Sequence, residues 1–143
     1  MSKYIIAAIP ITLVEVLWER VEPILQRVVD VSHGEITTES VKQKVLQGNT
    51  LLIAICKGEE IIAINTIETR TLDSGRKVLF VPVTGGDELD GWMEQFLTVA
   101  EQIGVEQGCV EIRGIAARKG WLRKLKKQGW SEFNVSIGKP IGV

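Results

Sequence analysis

The chain has 143 residues, 45% of them hydrophobic, and its 17 Lys+Arg against 18 Asp+Glu give a net charge of -1. That length suffices to bury one core, and the balance excludes a histone-like polycation or an acidic disordered tail. The near-neutral sum hides an asymmetry: residues 1–112 carry 9 basic and 17 acidic side chains, while residues 113–143 carry 8 basic and 1 acidic.

Residues 4–9 are apolar and β-branched and are stopped by Pro10, which predicts a first strand. Thr12 and Glu15 have capping-box spacing, and Leu13, Val14, Leu17, Trp18 and Val21 follow on one helical face. Pro23 predicts a kink or a restart before Ile24, Leu25, Val28 and Val29. Thr38 is placed to cap a short helix that Gly48-Asn49 closes. Residues 50–56, 61–69 and 77–83 then read as an antiparallel three-strand meander. A glycine-rich acidic loop over 84–91 leads to a helix from about Trp92 to Gly104. A strand over 109–115, a basic helix over 118–127 and a last strand over 133–137 complete the order.

No repeat or linker interrupts this order, so one domain over 1–143 is expected. Its class is α/β with a mixed sheet, helices lying on both faces. The connection from residue 83 to residue 109 is long enough for a crossover, which makes those two strands parallel neighbours. One histidine, His33, and two cysteines, Cys56 and Cys109, cannot supply a closed zinc site, and no metal is expected. Both cysteines sit in apolar stretches and read as buried thiols of a reducing compartment. No apolar run approaches the roughly 20 residues of a membrane span, and the first residues lack a secretory h-region, so a cytoplasmic protein without a membrane partner is expected.

This element order resembles the GNAT superfamily of N-acetyltransferases over nearly the whole chain. The run from Val78 to Gly86, VLFVPVTGG, and the segment from Ala116 to Trp130, ending Lys127-Gln128-Gly129-Trp130, carry the likeness. With Arg118-Lys119-Gly120-Trp121 upstream, it is similar to acetyltransferase-like proteins of tailed bacteriophages and prophages. The resemblance implies acetyl-CoA as cofactor and an amine as acceptor. Val81, Val83, Gly85, Gly86, Gly91 and Trp92 become its cofactor platform, with pyrophosphate on backbone N–H groups at the following helix N-terminus. Against that pattern, Met93 replaces a glycine, Asp87, Glu88 and Asp90 bring negative charge to the phosphate position, and Leu125 stands where the family places an acid tyrosine. Glu68 and Glu111 are the candidate general bases, each weighed against a solvent-facing strand charge.

Arg113, Arg118, Lys119, Arg123 and Lys124 head a cluster of seven cations in fifteen residues without an acid. It reads as a solvated helix face, as a phosphate or nucleic-acid contact, or as a surface meeting the acidic 87–94 segment of a second copy. Trp92 and Trp121 are expected near the cofactor wedge, where their indoles could fill the pantetheine space. Three functions follow. The first is an N-acetyltransferase; the second is a catalytically inactive protein of that fold with a structural or host-interaction role in a phage, in the host cytoplasm or on the virion. The third is a nucleic-acid-binding module using the basic helix.

Overall fold

The computed structural model describes residues 2–115 and 119–142. Strand β1 (Ile5–Ala8) leads into α1 (Ile11–Val29) and α2 (Thr38–Leu46), followed by β2 (Leu51–Lys57), β3 (Glu60–Thr71) and β4 (Lys77–Gly86). Helix α3 (Leu89–Glu106), strand β5 (Glu111–Gly114) and helix α4 (Lys119–Lys126) complete the order. The sheet runs β1-β2-β3-β4-β5, every pair antiparallel except β4 and β5, which the α3 crossover makes parallel as expected.

The period-two alternation of the strands sorts their side chains between two cores. On one face Leu52, Ala54, Ile64 and Val83 pack under Val14, Trp18, Val21 and Leu25 of α1 and Val41 and Val45 of α2. On the other face Ile53, Ile55, Ala63, Ile67, Leu79 and Val81 pack under Trp92, Phe96 and Ala100 of α3. Trp92 and Phe96 meet edge to face, ring centroids 6.2 Å apart. Both are fully buried, each worth roughly 1.5–3 kcal/mol or more of transfer free energy. Helices thus cover both faces, as the sequence pattern predicts.

Local signals were overridden at several points. Helix α1 does not restart at Pro23 but continues through it, with Val21, Ile24 and Leu25 anchoring both sides in the core. Packing there outweighs the roughly 3 kcal/mol that an interior proline costs. Thr12 makes no cap, since the helix already begins at Ile11 after Pro10; the capping box that forms is Thr37 with Ser40, one residue before the expected Thr38. Gly85 and Gly86 belong to β4 rather than to a loop, and α3 starts at Leu89 rather than Trp92. Strand β5 is shorter than the expected 109–115 span, leaving Cys109 and Val110 outside it.

The expected strand over 133–137 is absent: the segment has no regular structure, and Val135 and Ile137 are 73% and 94% exposed. Its alternation suits a sheet, yet a strand exists only where an edge pairs with it. The turn before it does form, with Gly129 at φ 94° and the Trp130 N–H donating to the Leu125 carbonyl over 3.1 Å. Both cysteines are free and half-buried. Among the described residues no helix is long and apolar enough to cross a membrane.

Candidate functional site

Strand β4 carries the geometry that matters. It pairs with β5 from Val78 opposite Glu111 to Val81 opposite Gly114, then continues to Gly86 with β3 as its strand partner. Across β3, Thr66 faces Val83 and Glu68 faces Phe80, so Val81 and Pro82 together stand opposite Ile67 alone. This is a β-bulge, and Pro82 explains its place, because a residue without an N–H cannot serve an interior ladder. The extra residue reverses the pleat. Val81 enters the α3-side core while Val83, two residues on, enters the α1/α2-side core.

On the α1/α2 side a cleft of about 20 Å³ opens beside the bulge. Pro82, Val83, Ile36 and Val41 wall it, and Thr66, Glu68 and Lys44 supply its polar groups. Glu68 is mostly buried, its side chain 15% exposed. Its Oε2 accepts from Arg70 Nε at 3.3 Å, while its Oε1 is buried with no hydrogen-bond partner among the described residues. Thr66 Oγ1 is likewise buried and unpartnered. Arg70 is held in place, its guanidinium 3.7 Å from the centroid of Phe80. On the opposite face Asn65, between Ile53 and Thr84, is fully buried with both amide atoms unpartnered.

The N-terminus of α3 is built differently. Asp87 pairs with Arg27 of α1 at 3.0 Å, and the Asp90 carboxylate accepts from Lys124 of α4. Glu88 accepts from Lys57 Nζ at 3.0 Å and from the Tyr4 hydroxyl at 2.9 Å, with Lys3 at 3.9 Å. The Lys57 hydrogen bond, then that of Tyr4, holds the Glu88 carboxyl below its ordinary pKa, and Glu88 in turn raises Lys57. Gly91 lies against the Tyr4 hydroxyl, Gly85 against Val28 and Gly86 against Ala63, so a Cβ at any of the three has no room. Trp92 is inside the core, donating its indole N–H to the Asp87 carbonyl over 2.7 Å.

Several solved acetyltransferases share this architecture. An aminoglycoside acetyltransferase from an uncultured soil metagenomic sample superposes with TM-score 0.71 at 11% identity, over 99% of this chain and 100% of that one. A GNAT family acetyltransferase of Staphylococcus aureus gives 0.67 at 11% identity over 99% and 100%. Ribosomal-protein-alanine N-acetyltransferase of Brucella melitensis gives 0.66 at 12% identity over 94% and 99%. The chain has the GNAT acetyltransferase fold. No protein-family model and no curated protein sequence matches it.

Within the GNAT fold the sequence-named residues separate. Val81, Val83, Gly85 and Gly86 all lie along β4 at and beyond the bulge, with Gly91 and Trp92 in the first turn of α3. Glu68 lines the cleft. Glu111 does not: its Oε1 accepts from Arg113 Nε at 2.6 Å and its Oε2 lies 3.5 Å from Arg76. The Arg113 hydrogen bond leads in holding it below the ordinary glutamate pKa, which makes it a weak proton acceptor.

The basic cluster is also divided. Arg113 sits on β5, paired with Glu111 and stacked 4.8 Å from the Phe133 ring. Arg123 and Lys124 are exposed on α4, Lys119 begins that helix, and Arg118 lies outside the described residues. Basic helix and acidic segment meet within the chain, by Lys124 to Asp90, and beyond the helix Gln128 donates to Glu94 at 3.5 Å. Trp121 is half-buried on α4. A larger hollow of about 360 Å³ lies between α3 and Gln128–Trp130, lined by Leu97, Thr98 and the exposed carboxylates of Glu94 and Glu101. Among the described residues no three His, Cys, Asp or Glu gather as a metal site.

Sequence reasoning missed Thr66 and Lys44 of the cleft and Arg70, which pairs with Glu68 beside it. Pro82 inside an apolar strand was the available signal for the bulge beside which they meet.

Proposed function

We propose that the chain transfers an acetyl group from acetyl-CoA to an amine, residues 1–143 acting as one domain. The free edge of β4 beyond the bulge would hold the donor, and the Glu68 cleft the acceptor. The observation that carries this reading is the buried, unpartnered Glu68 Oε1 at the point where β4 parts from β5. Acetyl-CoA supplies an activated thioester. Past Val81 the β4 backbone has no strand on its β5 side among the described residues, which suits the amides of pantetheine. Glu68 Oε1 takes the proton from the amine nitrogen as the N–C bond forms and the C–S bond breaks. Leu125, an apolar side chain, donates nothing, so the departing thiolate takes its proton from water.

Asp87, Glu88 and Asp90 do not forbid a phosphate, because each is already matched by a cation from another element. Lys124 brings the basic face of α4 to the α3 N-terminus, and with Arg123 it supplies the charge that a pyrophosphate wants. The setting proposed, on the phage resemblance alone, is a host-cell cytoplasm or a virion, with a phage structural or host protein, or a second copy, as partner. The broad acceptor class, an amine, agrees with neighbours that act on aminoglycosides or on ribosomal protein alanine.

One feature favours a second reading, a non-catalytic protein of this fold: the apolar Leu125 where the family places its acid. Thermal-shift titration with acetyl-CoA and CoA, followed by thiol-release assays, separates the two. A ligand-dependent rise in Tm is expected for wild type and for Glu68→Gln, with turnover about 10²–10⁴-fold lower in the variant. No shift at millimolar donor overturns the acetyltransfer reading.

A further inference from the structure

We infer that the amine entering the Glu68 cleft carries an anionic group of its own, a carboxylate or a phosphate; the inference deepens the acceptor reading above and rests on it. The cleft, about 20 Å³, admits one water-sized group, so an amino group enters while the rest of the molecule stays at the rim. Inside, Glu68 Oε1 and Thr66 Oγ1 are both buried and unpartnered, two acceptors for the N–H groups of an ammonium between apolar walls. Thr66 is 1% exposed and lines the cleft, so a group entering there can partner its hydroxyl.

At the rim the charge is of the other sign. Lys44 lines the cleft from α2, and no carboxylate lies within ion-pair distance of it among the described residues. Arg70 is oriented twice over, by its Nε on Glu68 Oε2 and by its stacking on Phe80, yet stays 44% exposed. A guanidinium fixed in that way presents its remaining donors in a fork that fits a carboxylate or a phosphate. Two cations surround one carboxylate, so a polycationic amine meets repulsion at the entrance and an amine with an acidic group meets complementarity. The glutamate selects the amino group; Lys44 and Arg70 select what it is attached to.

The test reads binding directly, by calorimetry and thermal shift on the full chain. Amino acids from glycine to 4-aminobutyrate are each compared with their own amide, phosphoethanolamine with ethanolamine, and spermidine serves as polycation. The acid or phosphate of each pair is expected to bind about tenfold tighter than its neutral partner. Which pair shows the larger gap separates carboxylate from phosphate. Lys44→Gln, a change at an exposed side chain, should shrink the gap, and Glu68→Gln should weaken acid and neutral partner alike. Equal affinity of acid and amide, tighter binding of spermidine, or no binding of any amine overturns the inference. Anionic-amine binding without any acetyl-CoA shift would instead leave the site standing and remove the acetyltransfer reading.

Discussion

Glu88 occupies a conformation that a glutamate rarely takes, φ 56°, at the start of α3. Left-handed backbone at a residue with a Cβ costs about 1–2 kcal/mol, and the contacts of its carboxylate are what hold it there. Lys57 from β2, Tyr4 from the segment before β1 and Lys3 converge on one side chain, tying the N-terminal segment and the meander to the helix. The pH dependence follows from the direction of the shift. Because the folded-state pKa of Glu88 lies below the ordinary 4.5, its contribution is complete above that value and is lost as pH falls through the lowered one. The raised Lys57 adds the opposite limb: its contribution is complete below 10.5 and is lost as pH rises through the higher folded value. Glu88→Gln should therefore lower Tm at pH 7 and converge on wild type as pH drops below 4.5. Melting curves at matched pH check this, and parallel Tm profiles across the acid range would show that the carboxylate does not hold the turn.

Helix α3 is held to the sheet by Trp92 and Phe96, both fully buried and in edge-to-face contact. Removing the indole empties the largest volume in that core and frees the Asp87 carbonyl from its partner. Trp92→Ala should cost about 3–5 kcal/mol, read as a fall in denaturation midpoint. Trp92→Phe should recover much of it by refilling the space. A loss under about 1 kcal/mol for the alanine variant would place the indole outside the load of the core. The same residue marks how far the sequence was legible. Its apolar spacing with Phe96 and Ala100 identified the helix, because helix period is a local property. Its start was placed late, at Trp92 rather than Leu89, because Gly91 and the acidic residues before it read equally well as loop or as a first helical turn. The meander and the parallel crossover were legible from strand period and connection length. The segment over 133–137 was not, since alternation announces a strand without announcing an edge to pair with. Glu68 could be named from its strand, whereas Lys44, Thr66 and Arg70 joined it only through the packing of α2 and the bulge at Pro82.

At the scale of the molecule, the acidic body and basic C-terminal part are not separate surfaces. Lys124 crosses to Asp90, while Arg27 and Lys57 neutralise Asp87 and Glu88 from two other elements. The acids at the phosphate position thus sit in a compensated cluster, and a donor bearing phosphates has to compete with Asp90 for Lys124. Asp90→Asn removes the competitor and keeps the cation. At low ionic strength the variant should bind CoA about 3–10-fold tighter than wild type, a gain that shrinks as salt shortens the screening length toward about 10 Å at 0.1 M. Its melting temperature in the absence of ligand should change little, because an exposed pair of this kind contributes only about 0–1 kcal/mol. Calorimetric titrations of both proteins across a salt series measure the difference. Weaker binding by Asp90→Asn would mean that Asp90 positions Lys124 for the phosphate rather than withholding it, and the competition would have to be abandoned.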